Sequence, residues 1–121
     1  MFLATSNLSR RLLVISYIGR VGPNDLVQGE RDLRELLASL PPGFGVLADL
    51  SLMESMDPDC LPILGRIMDL CQQRGVGKIV RVIPDPEKDI GFNIMTIFHY
   101  PGHPQIITCS SLIEAGQHLS V

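Results

Sequence analysis

In this 121-residue chain, the residue types and spacings with chemical potential gather at Asp57-Pro58-Asp59-Cys60. Pro58 suits the first position of a helix, where a missing N–H costs nothing, so Asp57 becomes an N-cap residue and Asp59 falls in the first turn. Free backbone N–H groups and the helix dipole favour negative charge there, by about 0.3–1 kcal/mol per carboxylate. Two readings follow. The carboxylates cap the helix, or Asp59 stands at its tip as a fixed anion offered to a partner. Cys60 is open in the same way: a helix N-terminus stabilises thiolate, two neighbouring carboxylates oppose it, and a small buried thiol is the alternative. No His lies near it in sequence, so a Cys–His pair is not specified.

Other candidates carry less. His99 and His103 are four apart, but Pro101-Gly102 between them breaks the helix that would align them as ligands. Cys60, Cys71 and Cys109 are widely spaced, without CxxC or CxxH, which gives a metal site no support and points to reduced thiols. Gly43-Phe44-Gly45, Gly75-Val76-Gly77 and Gly91 form neither GxGxxG nor a P-loop. Ser51, Ser55 and Ser110-Ser111 lack the GxSxG setting of a nucleophile. No cofactor, no metal and no catalytic constellation is expected.

The composition narrows the field. With 45% hydrophobic and 19% charged residues the chain is too apolar for disorder, and its length fits one domain over residues 1–121. A net charge of −3 and only 5% aromatic residues argue against nucleic-acid partners, which call for basic excess and stacking platforms. Neither a signal-peptide pattern nor a membrane-length apolar run is seen, so no membrane insertion and a cytoplasmic location are expected.

The elements that would position these residues alternate. LLVISYIGRV over 12–21 reads as a strand, closed by a Gly22-Pro23 turn. Asn24 or Asp25 then caps an amphipathic helix carrying Leu26, Leu33, Leu36, Leu37 and Leu40, stopped by Pro41-Pro42. FGVLADL over 44–50 is a nearly continuous apolar run, the mark of a central strand, with Asp49 its exception. Residues 51–56 read as a loop, and a second helix runs from Asp57 through Leu61, Ile63, Leu64, Ile67, Met68 and Cys71 to a Gly75 cap. KIVRVI at 78–83 is a strand, 87–100 a weaker helix, QIITC at 105–109 a last strand, and 112–119 a helix after Ser110. The fold expected is α/β: a four- to five-stranded mixed, mainly parallel sheet with about four helices.

LADLS at 47–51, MDPDCL at 56–61 and Leu64-Gly65-Arg66 together resemble the central stretch of STAS domains, the sulphate transporter and anti-sigma factor antagonist family. In that family a strand ending in Asp-Leu-Ser leads to Asp-Ser-Ser-Gly or Asp-Ser-Thr-Gly at a helix start. SLIEA at 111–115 resembles the family's ending, and the likeness spans roughly residues 12–119. It implies a bacterial, non-catalytic regulatory domain like anti-sigma factor antagonists or SpoIIAA-like proteins, with a kinase, anti-sigma-like or transporter-component partner. The family's phosphoacceptor is the second residue after the Asp, and here that residue is Asp59, while Pro58 and Cys60 replace the neighbouring Ser and Gly.

The partner-binding residues expected are Met53, Met56, Asp57, Asp59, Cys60, Pro62 and Arg66, an apolar contact rimmed by charge. A second reading, from another class, is a small-ligand (lipid-like) binder or enzyme. Its pocket would be lined by Met53, Met56, Met68 and Met95, with His99 or Cys60 as polar group. Partner identity, pathway and homodimer formation stay open at this stage.

Overall fold

The computed structural model describes residues 1–83 and 104–119. Its sheet has five strands in the order β1 (Phe2–Asn7), β2 (Leu12–Val21), β3 (Gly45–Met56), β4 (Lys78–Val82) and β5 (Gln105–Cys109). β1 and β2 form an antiparallel hairpin, and every later pairing is parallel. The mixed, mainly parallel sheet is thus the one expected, with β3 at its centre. The expected helix over 87–100 lies outside the described residues, as do Gly91, Met95, His99 and His103.

α1 (Pro23–Ala38) and α2 (Leu61–Gln73) pack on one face of the sheet. Leu26, Leu33 and Leu37 of α1 and Leu64, Ile67 and Cys71 of α2 share a core with Leu13, Ile15, Val46, Leu50 and Ile79 of the strands. On the other face, α3 (Leu112–Leu119) brings Ala115 and Leu119 against Leu47, Val80, Val82, Ile107 and Cys109. Both faces of β3 are therefore packed, which is why its sequence is apolar at almost every position.

Local details refine the sequence reading. Pro23 belongs to α1, not to a preceding turn: Gly22 is the N-cap residue, and its N–H donates to the Asp25 carboxylate at 2.9 Å. Gly75 ends α2 as expected, at φ +88°, where Val76 N–H donates to Cys71 O and Gly75 N–H to Gln72 O, the paired bonds of a Schellman cap. β1 was not expected at all. Its pattern is weak, and its place depends on pairing with β2 and on Phe2, whose ring lies on Gly29 of α1 and edge-on to Tyr17 at 5.2 Å.

The largest correction concerns residues 51–56, expected as a loop. They continue β3 to Met56, with irregularities against β2 between Ser16 and Ile18 and between Gly19 and Arg20. Three residues of β3 advance (Asp49 to Leu52) while β2 advances two, a β-bulge. Asp49 serves that bulge: its Oδ1 accepts the Ser51 N–H at 2.9 Å, satisfying a donor within the stretch that has no register partner. The bulge also reverses which side chains face inward. Leu50 and Met53 are both buried, at 1% and 5% exposure, while Leu52 is 64% exposed.

Candidate functional site

Parallel strands β2 and β3 end together, at Val21 and Met56, and the chain leaves each into a helix at the same edge of the sheet. This edge is where open α/β sheets place their sites. The Asp57 N–H donates to Val21 O at 3.0 Å, pinning the exit of β3 to that of β2. Pro58–Cys60 then form a short 3-10 turn before α2 begins at Leu61. Asp57 is a cap as expected, with Oδ1 accepting the Asp59 N–H at 2.9 Å, but it caps this 3-10 turn and not α2, which starts three residues later than the sequence suggests with Cys60 at its N-cap. Between the two strand ends lies an open depression of about 570 Å³ bordered by Arg20, Gly22, Asp25, Ser55, Met56, Asp57 and Pro58.

The expected contact residues divide. Asp57, Asp59, Pro62 and Arg66 are exposed and lie along the turn and the outer side of α2. Met56 is half-buried and packs against the core while edging the depression. Met53 and Cys60 do not belong to a contact surface: both are buried in the core, at 5% and 0% exposure. The bulges turn Met53 inward, and the 3-10 turn tucks Cys60 beneath itself, its Sγ 3.5 Å from Val21 O. Burial pushes the Cys60 thiol up from its ordinary value, and the Asp57 carboxylate, with Asp25 and Asp59 behind it, adds to the rise. The thiol is thus a protonated core group rather than a nucleophile.

Arg66 is not free to sweep the surface. Its Nη2 and Nε reach the two carboxylate oxygens of Glu30 on α1 at 3.1 and 3.3 Å, and Arg34 approaches the same carboxylate at 3.6 Å. The fork geometry ties α1 to α2 and holds the guanidinium in one place. Two exposed apolar side chains differ from the sequence expectation. Leu61, expected among the apolar positions of the helix, is the first residue of α2 and 42% exposed, and Leu52 is turned out of the core by the bulge. Helical spacing gives no sign of the first, and nothing in the strand pattern marks the second.

Among the described residues, Met53, Met56 and Met68 do not line one common pocket, and Met95 lies outside those residues. Met68 borders a small pocket of about 40 Å³ between α2 and the sheet, together with Ile15, Tyr17, Leu64 and Arg81. That is room for about one water. Met53 and Met56 are not on its wall.

No known family's sequence pattern matches the chain, and no curated protein matches it in sequence. Solved structures do. The chain is similar to an uncharacterized DUF3478-family protein with a SpoIIAA-like fold from Shewanella loihica PV-4, at a TM-score of 0.74 and 12% identity over 99% of this chain and 93% of that one. It is also similar to the anti-sigma factor antagonist SpoIIAA in its unphosphorylated form, at 0.65 and 16% over 98% and 97% of the two chains. An anti-sigma factor antagonist from Mycobacterium paratuberculosis matches at 0.61 and 18%, over 98% and 92%. The chain therefore has the SpoIIAA-like fold.

Proposed function

We propose that this protein is a non-catalytic regulatory domain that docks on a partner protein through the turn after β3 and the start of α2. The observation that carries the reading is the exposed, hydrogen-bonded Asp57–Asp59 turn, standing at the C-terminal sheet edge of a fold shared with anti-sigma factor antagonists. Asp57, Asp59 and Arg66 supply the polar contacts, with Met56, Leu61 and Pro62 as the apolar ones. The turn is held by its own hydrogen bonds in the absence of a partner, an arrangement that lowers the ordering cost of binding.

In this reading Asp59 stands where the related proteins carry a phosphoacceptor hydroxyl. Its carboxylate enters no ion pair or hydrogen bond among the described residues, so a single permanent charge faces solvent. A phosphoserine carries about −1.5 to −2 and three acceptor oxygens, so Asp59 imitates one poorly. Partner binding is therefore constitutive rather than switched by a kinase at this position.

The test is titration of the purified chain against the anti-sigma-type kinases of its source organism, with Asp59→Lys and Pro62→Arg variants whose thermal melts match the parent. A partner bound by the parent and lost by both variants supports the reading. Undiminished binding by both folded variants, or a phosphate mapped by intact mass to residues 51–60, overturns it.

A further inference from the structure

On the face of the sheet opposite α1 and α2, β5 ends at Cys109 and the chain turns directly into α3. We propose that Cys109, Glu114 and His118 form a binding site for one divalent transition-metal ion of the zinc class. The Cys109 Sγ, a Glu114 carboxylate oxygen and a His118 ring nitrogen all lie within 4.8 Å of one another. A four-coordinate ion holds its ligands at about 2.0–2.3 Å, so small side-chain rotations bring all three donors onto one centre. Three ligands from the described residues leave a fourth position for water or another group. The sequence reading did not anticipate this, because the pattern C-x4-E-x3-H crosses from a strand to a helix and matches no familiar spacing.

The scaffold around the three donors is clamped. Glu114 and His118 are one helical turn apart on α3 and so share a face. Cys109 is fixed at the strand end by its register with Val82 and by the Ile83 N–H donating to Cys109 O at 2.9 Å. Ser110 orients the carboxylate: its backbone N–H and its hydroxyl both donate to Glu114 Oε2 at 3.2 Å, leaving the other oxygen for a cation. This is the outer-shell support that metal-binding carboxylates receive. At the far end, Lys78 Nζ donates to His118 O at 2.7 Å and holds the last turn of α3 to β4.

Packing accounts for a buried thiol beside Val80, Val82 and Ala115, and capping accounts for the Ser110–Glu114 contacts. Neither accounts for an imidazole brought to the same point. Thiolate, imidazole and carboxylate together suit Zn²⁺ or Co²⁺ and not Mg²⁺ or Ca²⁺, which take all-oxygen shells. On binding, the thiol releases its proton to solvent. The ion would staple α3 to the sheet.

Titration of the full chain with Co²⁺ under reducing conditions reads the site directly. The expected result is saturation near one equivalent, with a near-ultraviolet thiolate-to-cobalt charge-transfer band that Zn²⁺ displaces. Cys109→Ser abolishes the band, His118→Gln weakens binding by more than tenfold, Ser110→Ala weakens it about tenfold, and Cys71→Ser leaves it intact. Zn²⁺ raises the melting temperature of the parent and not of His118→Gln, a half-exposed position that keeps the fold. Absence of the band in the parent overturns the proposal. So does a band or a zinc-dependent melting shift that survives both Cys109→Ser and His118→Gln, since the ion is then held elsewhere.

Discussion

If the bulge in β3 decides which side chains face the core, exchanging two adjacent residues has opposite consequences. Regular alternation from Val46, Ala48 and Leu50 would turn Leu52 inward and Met53 outward. The structure has the reverse, with Leu52 64% and Met53 5% exposed. Leu52→Lys replaces a solvated side chain and changes stability by no more than about 0.5 kcal/mol. Met53→Ala empties a core position and costs about 2–5 kcal/mol. At roughly 4 °C per kcal/mol for a domain of this size, that lowers the melting temperature by about 8–20 °C. Urea unfolding followed by circular dichroism separates the two cleanly, because an unchanged slope on denaturant certifies that only stability moved. Met53→Ala also keeps partner binding per folded molecule, as a core residue must. Equal costs for the two variants, or a larger cost for Leu52→Lys, would refute the bulge and with it the removal of Met53 from the contact surface.

Three further outcomes are expected. Gly29→Ala destabilises despite a helix-propensity gain of about 1 kcal/mol, because the added Cβ overlaps the Phe2 ring and overpacking costs about 1–3 kcal/mol; in a Phe2→Ala background the same change becomes stabilising, and chemical denaturation reads both. Asp57→Ala costs about 1 kcal/mol by removing the acceptor of the Asp59 N–H, whereas Asp59→Ala is close to neutral, so thermal melts distinguish the cap from the exposed acid. Burial, and secondarily Cys71, raises the Tyr17 phenol far above its ordinary value of 10.0. The unfolded chain therefore loses that proton first, and the stability contributed by Tyr17 is complete below pH 10 and declines above it by about 1.4 kcal/mol per pH unit. Urea melts between pH 8 and 11 show the decline, and Tyr17→Phe removes that component of the slope; an unchanged slope in the variant refutes the assignment.

Much of this molecule was legible in its residues because the signals were local. The 3.6-residue pattern of Leu26, Leu33 and Leu37, the glycine cap at Gly75 and the apolar runs at 44–50 and 78–83 each draw on neighbours within a few positions and stand where they were expected, whereas Asp57-Pro58 opens a 3-10 turn and the α-helix itself begins only at Leu61. Alternation of strands and helices then called for a parallel sheet, since only crossovers of that length return a strand in the same direction. What the sequence could not decide is whatever depends on a partner far along the chain. β1 exists because β2 and the Gly29 notch receive it, not because FLATSN reads as a strand. The bulge arises from the mismatch between β2 and β3, so the fate of Leu52 and Met53 was hidden from either segment alone. Asp49 looked like a flaw in an apolar strand until the unpartnered Ser51 N–H beside it gave the carboxylate a role. Cys109 and His118 stand nine positions apart on different elements, and only the turn from β5 into α3 sets thiol, carboxylate and imidazole side by side. Side-chain chemistry is written in the chain, but which groups share a few ångströms is settled by strand register and by helices folding back onto the sheet.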